Sequence, residues 1–216
     1  MLKQIVYLLL VAVLLTGNIL RGQNSGQKKH NCCESNSSCC SDQTEKEYNN
    51  IKEKVEIDFA AKHVSRSYRQ TINATSKIIF PLLCPVREAE WLDDWDYKMI
   101  YSVSGVAEKG AVFTTSYWED SEQTWIITKH DSIKSEIQFA RFVPGFVTSV
   151  LDINVLPKDK NSSYVDVTYT YTGLTEKGNN FLEKSFTEEF FAKNMKEWED
   201  SMNYFLKTGT MLKTTH

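Results

Sequence analysis

Residues 81–101 read PLLCPVREAEWLDDWDYKMIY. An apolar Pro-Leu-Leu-Cys opens the stretch, and Arg87, Glu88, Glu90, Asp93, Asp94 and Asp96 then crowd around Trp91 and Trp95. Two readings compete for it. In one, Arg87 and Glu88 stand at the mouth of a cavity and orient a ligand, with Trp91 and Trp95 as its lid. In the other, the segment is a packing device that closes the fold: the acids are solvated, the tryptophans are core, and Arg87 pairs with a carboxylate. Cys84, a lone thiol between apolar residues, reads as a buried structural cysteine. A Cys/His nucleophile would need His63 or His130 beside it. The adjacent Asp93 and Asp94 read as solvated loop residues rather than an acid–base dyad.

Upstream, AKHVSRSYRQTI (61–72) spaces Val64, Tyr68 and Ile72 along one face of a first strand. Asn73, Thr75 and Ser76 offer capping side chains to a short helix through KIIFPLL. Pro85 limits that helix, because a residue before proline is driven out of the helical region. A second short helix is predicted over Val86 to Trp91. Downstream, Tyr97, Met99, Tyr101 and Val103 alternate with polar or smaller neighbours, as a strand requires. Four more strands follow, AVFTTSYW, TWIITKH, SEIQFARFV and the run from Phe146 to Leu156, with turns at short spacing. SYVDVTYTYT (163–172) alternates most strictly: Val165, Val167, Tyr169 and Tyr171 share one face. Such a ladder reads as an antiparallel meander.

The period then changes. From Asn179 to about Lys207 there is no proline or glycine, and Phe191, Met195, Trp198, Met202 and Phe205 fall on one helical stripe. A single helix of about 28 residues, roughly 42 Å long, is predicted. The order is strand, two short helices, five or six antiparallel strands and one long C-terminal helix. A curved sheet gripping a long helix buries one face of each and leaves room for a cavity between them.

That order, together with PLLCPVREAEWLDDWDYKMIYSVSGVAEKGAVFTT, resembles the SRPBCC superfamily, START-like and polyketide-cyclase-like, whose architecture is called the helix-grip fold. The match runs from about His63 to Leu212. It is similar in particular to a bacterial subgroup carrying FPLLCPVRE, a W…W loop, GVFTT-like strands and a TYTGL segment, which here are Phe80–Glu88, Trp91–Trp95, Ala111–Thr115 and Thr170–Leu174. The resemblance implies an α+β fold in which a curved antiparallel sheet, two short helices and a long C-terminal helix enclose a cavity, and it places the 81–101 stretch beside that pocket. It does not fix a function, since the superfamily includes lipid carriers, hormone receptors, cyclases, aromatase-like proteins and co-chaperones.

On this architecture the cavity candidates are Arg87, Glu88, Trp91, Trp95, Tyr101, Phe113, Trp125, Phe139, Arg141, Tyr169 and Tyr171. The core face of the sheet is also the cavity wall, so the strand aromatics serve either role. A tyrosine hydroxyl or Arg141 would anchor the polar end of a ligand. The expected function is binding of a small apolar molecule: a lipid, a polyketide-like or an aromatic compound. The alternative is a cyclase or dehydratase acting on a polyketide-type substrate, which needs convergent polar groups such as Arg87, Glu88, Tyr101 or His130. There is no phosphate-binding glycine loop, no HExxH, no Ser-His-Asp spacing and no dinucleotide fingerprint, so no cofactor is implied. A net charge of −3 with 25% charged residues and no basic run argues against a nucleic-acid partner.

The N-terminus reads separately. Lys3 followed by the apolar run Ile5 to Leu15 has the length of a secretory leader and is short of the ~20 residues of a spanning helix. Residues 1–23 are therefore expected to be a signal peptide or an N-terminal anchor, with a secreted or periplasmic protein or a membrane-tethered one as the result; membrane contact is expected only through this segment if it is uncleaved. Residues 24–58 read as a Cys-rich disordered linker, and 59–216 as the domain. Cys32, Cys33, Cys39 and Cys40 form two vicinal pairs in HNCCESNSSCCSD. Bridges between the pairs are easier than within them, a secreted location favours disulfides, and grouped thiolates can also hold a soft metal with His30 as an extra ligand, which would make the protein a metal-handling factor.

Overall fold

A computed structural model of the chain describes residues 59–117 and 122–213. The expected leader and the cysteine cluster at Cys32, Cys33, Cys39 and Cys40 lie outside the described residues. The first strand, β1 (His63–Ile72), leads into α1 (Ser76–Leu82) and α2 (Pro85–Glu88). Six further strands follow: β2 (Tyr97–Tyr101), β3 (Val112–Ser116), β4 (Glu122–Asp131), β5 (Glu136–Val143), β6 (Val147–Pro157) and β7 (Ser163–Gly173). The described chain ends with α3 (Glu176–Lys184) and α4 (Glu188–Thr208). All seven strands form one antiparallel sheet in the order β1-β7-β6-β5-β4-β3-β2. β2 to β7 are a plain meander, and β1 closes on β7 over ten residue pairs, His63 with Thr172 through Ile72 with Ser163. β1 and β2 are thus opposite edges, and α1 and α2 carry the chain from one edge to the other. This is the α+β helix-grip architecture.

The alternation read from β7 holds. Val165, Val167 and Tyr171 are buried; the valines meet Ile153, Leu151 and Phe139 in one cluster, and Tyr171 joins a second with Phe181, Phe186 and Phe191. α4 lays Phe191 and Met202 against that face, with Met195, Trp198 and Phe205 packed beside them.

Two local expectations are corrected. The single helix from Asn179 to Lys207 is two helices. Thr187 caps the second by accepting the Phe190 N–H on its hydroxyl (3.1 Å), and Glu188 and Glu189 follow in the first turn, where the helix dipole favours acids. The break seats Phe186 in the core, 4.6 Å from the Tyr171 ring. The second short helix is a single turn, Pro85–Glu88, rather than Val86 to Trp91.

α3 begins against the β5–β6 turn with no space to spare. A Cβ added to Gly178 would overlap the Phe146 backbone carbonyl, which also accepts the Leu174 N–H at 2.9 Å. At the far end Gly209, with φ +70°, supplies the left-handed cap of α4.

Candidate functional site

Two prolines cut the 81–101 stretch into turns, and broken helices leave carbonyls without partners. The tryptophans satisfy them. Trp91 Nε1 donates to Leu82 O (3.0 Å), and Trp95 Nε1 donates to Pro85 O (2.8 Å). With the backbone so pinned, successive residues of α2 point opposite ways. Arg87 turns outward and forms a two-pronged pair with Glu90, both contacts at 2.8 Å. Glu88 turns inward and is 7% exposed.

Glu88 faces a cavity of about 170 Å³ between the sheet and the helices. The sheet wall is aromatic. Phe113 and Trp125 stack at 5.8 Å, and Phe139 meets both edge-on at 6.2 Å. Tyr169 and Tyr171 stack at 5.7 Å on the next strand but one. The helical wall brings Phe186, Phe191, Met195 and Trp198, and Leu92 and Trp95 complete the side next to Glu88. Leu151, Val167 and Val147 fill the floor.

Few polar groups reach this space. Gln123 and Trp125 both donate to Thr115 Oγ1, at 2.8 and 3.0 Å. Arg141, 9% exposed, lies between the rings of Trp125 (5.2 Å) and Tyr171 (4.9 Å) and donates from Nε to Ser149 Oγ at 3.1 Å. That is the only hydrogen bond of its side chain among the described residues, and no carboxylate pairs with it. The Glu88 carboxyl and the Asn194 amide have no hydrogen-bond partner among the described residues either.

Burial without a counter-charge raises the Glu88 pKa well above the ordinary carboxyl value. Burial likewise pushes the Tyr117 hydroxyl up to about 12, with Arg141 pulling the other way. Tyr169 is raised too, mainly by burial, with Tyr171 and Glu88 adding to the shift and Arg141 opposing it. The site therefore pairs a carboxyl that prefers to be neutral with a fixed cation, across an aromatic space.

Of the sequence-derived candidates, the structure brings Glu88, Trp95, Phe113, Trp125, Phe139, Arg141, Tyr169 and Tyr171 to the cavity. Three are placed elsewhere. Arg87 is at the surface with Glu90. Trp91 is fully buried core, with its ring 5.4 Å from Trp198. Tyr101 is 57% exposed because β2 slips register against β3 between Met99 and Tyr101, which turns its side chain to the outer face. His130 packs 5.1 Å from Phe80, and His63 bonds Thr172 Oγ1 on the exposed face. Cys84 Sγ accepts the Ala107 N–H, so no thiol–imidazole pair forms. No group of three metal-ligating side chains occurs among the described residues.

Sequence reasoning missed Tyr117, Gln123, Phe186 and Asn194. Asn194 had a signal: it interrupts the apolar stripe between Phe191 and Trp198, where a polar residue must face the core or a cavity. Glu88 had a similar one, standing at helical spacing from Cys84, Leu92 and Trp95.

No protein-family model and no curated protein matches the chain. Solved structures do. A point mutant of norcoclaurine synthase from Thalictrum flavum, in complex with a transition-state analogue, superimposes with a TM-score of 0.53 at 13% identity, over 70% of this chain and 98% of that one. The same plant's enzyme in complex with dopamine and hydroxybenzaldehyde gives 0.52 at 10% identity, over 87% of this chain and all of that one. At such identities the likeness is one of fold. The chain shares with these structures the helix-grip fold that its resemblance to the SRPBCC superfamily implies.

Proposed function

We propose that this protein binds a small aromatic molecule in the cavity between its sheet and its C-terminal helices. The observation that carries the reading is the cavity itself, aromatic on both walls, with Glu88, Arg141, Gln123, Asn194 and the tyrosine hydroxyls as its polar groups. Affinity comes from burying a ring against rings, which adds about 0.5–1.5 kcal/mol per aromatic pair to the burial of area. Its size suits a molecule built on one ring, since an apolar cavity of ~150 Å³ takes up benzene. The neighbour with dopamine and hydroxybenzaldehyde in its structure supports the same ligand class. Trp95, Trp125 and Trp198 line the space, so a ligand is expected to quench intrinsic fluorescence saturably with 1:1 stoichiometry. Val167→Phe fills the cavity and is expected to abolish the quench while the thermal midpoint is kept. Unchanged quenching in a folded Val167→Phe protein would place the ligand elsewhere.

A second reading, acid–base chemistry on the bound molecule, rests on Glu88 alone. A carboxyl whose pKa burial has raised can, beside a ligand, take or give a proton. Acetophenone in deuterated buffer is a direct probe. Exchange of its methyl protons, followed by NMR and lost in Glu88→Gln, supports proton abstraction next to a carbonyl; identical rates with and without protein exclude it.

A further inference from the structure

We propose that Arg141 is an anion subsite and that the ligand is therefore a small aromatic acid, its carboxylate seated on the guanidinium and its ring on the Trp125 and Tyr171 side of the cavity. The inference rests on the cavity being the ligand site and adds the ligand's charge. Arg141 is about nine-tenths buried yet has no acid beside it. Burying a cation without a partner is costly, and folds ordinarily relieve this with a carboxylate or several carbonyls. Here the relief is partial. The two ring faces hold the plane of the guanidinium, and Ser149, itself 2% exposed, takes the single Nε proton. That arrangement fixes the plane of the fork and leaves its two terminal nitrogens without a hydrogen bond among the described residues, on a side chain that lines the cavity.

A guanidinium held this way matches the two oxygens of a carboxylate, and its rigidity lowers the ordering cost of binding. The other ionisable group of the cavity that could pair with it, Glu88, does not compete for it. Glu88 stands on α2, across the space from β5, and forms no ion pair with Arg141. The neutral floor of Leu151 and Val167 offers the anion nothing, and the other polar groups of the lining, Asn194, Gln123 and the tyrosine hydroxyls, carry no positive charge, so Arg141 is the cation of the cavity.

The test uses the full chain with two isosteric probes, phenylacetate and phenylacetamide, read by tryptophan quenching and by native mass spectrometry. The expected result is that the carboxylate binds roughly tenfold or more tightly than the amide, the scale of a charge-assisted hydrogen bond. Arg141→Met removes the charge and is expected to erase that preference while the amide still binds; Arg141→Lys, keeping the charge but losing the fork, restores part of it. Equal affinity of wild type for the two probes overturns the anion subsite and leaves the aromatic cavity reading standing. Binding of neither probe overturns both. The wild-type comparison needs no variant to fold.

Discussion

Replacing Glu88 with glutamine tests the feature on which the chemistry of the cavity turns. The side chain keeps its shape and loses its proton equilibrium. In the unfolded chain a glutamate carboxyl titrates near ~4.3; in the folded protein burial raises it well above that. Between those two values the folded state holds a proton that the unfolded state has released. Wild-type stability must then fall as pH rises, by up to about 1.4 kcal/mol per pH unit for the one proton involved, until the folded carboxyl ionises as well. For a domain of this size that slope is about 3–5 °C of melting temperature per pH unit. His130 acts in the opposite sense, because burial lowers its pKa and costs stability as pH falls; it is common to both proteins and cancels in their difference. Melting curves from pH 5 to 8 are therefore expected to diverge, Glu88→Gln gaining on wild type as pH rises. Parallel curves would refute the reasoning, and so would a constant advantage of wild type, which would mean that a partner stabilises the charged carboxylate.

Two further outcomes follow from the frame around the site. Trp95→Phe keeps a ring at the cavity but strips the Pro85 carbonyl of its donor; a loss of about 1–3 kcal/mol is expected in denaturant unfolding, and a midpoint equal to wild type would show that the indole does not pin α2. Gly178→Ala forces a methyl group onto the Phe146 carbonyl and is expected to destabilise by about 1–3 kcal/mol, whereas Asn180→Ala on the exposed face of the same helix stays within about 0.5 kcal/mol; equal effects of the two would remove the close approach as the cause.

What the sequence shows well is what depends on one element alone. The period of two in β7 and the helical stripe of α4 are intrinsic to their segments, so the sheet, its antiparallel sense and the gripping helix could be read. Tyr101 shows where that stops. Its alternation with Tyr97 and Met99 is correct as a pattern, but the slip against β3 is a property of the pair of strands, and it moves the side chain to the opposite face. Arg87 and Glu88 show it again. Both were candidates for the mouth of the cavity, and the choice between them is made by Trp91 and Trp95 reaching back to Leu82 and Pro85, contacts nine and ten residues apart that no local period encodes. The break at Ser185 to Thr187 was legible in principle, since a threonine followed by two glutamates is a helix start, but continuous apolar spacing masks it.

The rings of the sheet wall explain why the cavity survives at all. Protein interiors normally close to crystal-like density, yet about 170 Å³ between the sheet and the helices stays unfilled here. Here the aromatic side chains are braced sideways rather than across. Phe139 stands edge-on to both Phe113 and Trp125, and Tyr171 packs on Phe186 and under the Arg141 guanidinium. Phe113, Trp125 and Phe139 find one another on the sheet wall, and Tyr171 meets Phe186 where sheet and helices join, so these rings are packed by each other. The same bracing points the unpaired fork of Arg141 and the lone carboxyl of Glu88 at the space from different walls. Folding alone would gain by closing that void and giving those polar groups partners. A molecule that fills the one and partners the other recovers both terms at once, which is the physical reason to read this core as a binding site rather than as imperfect packing.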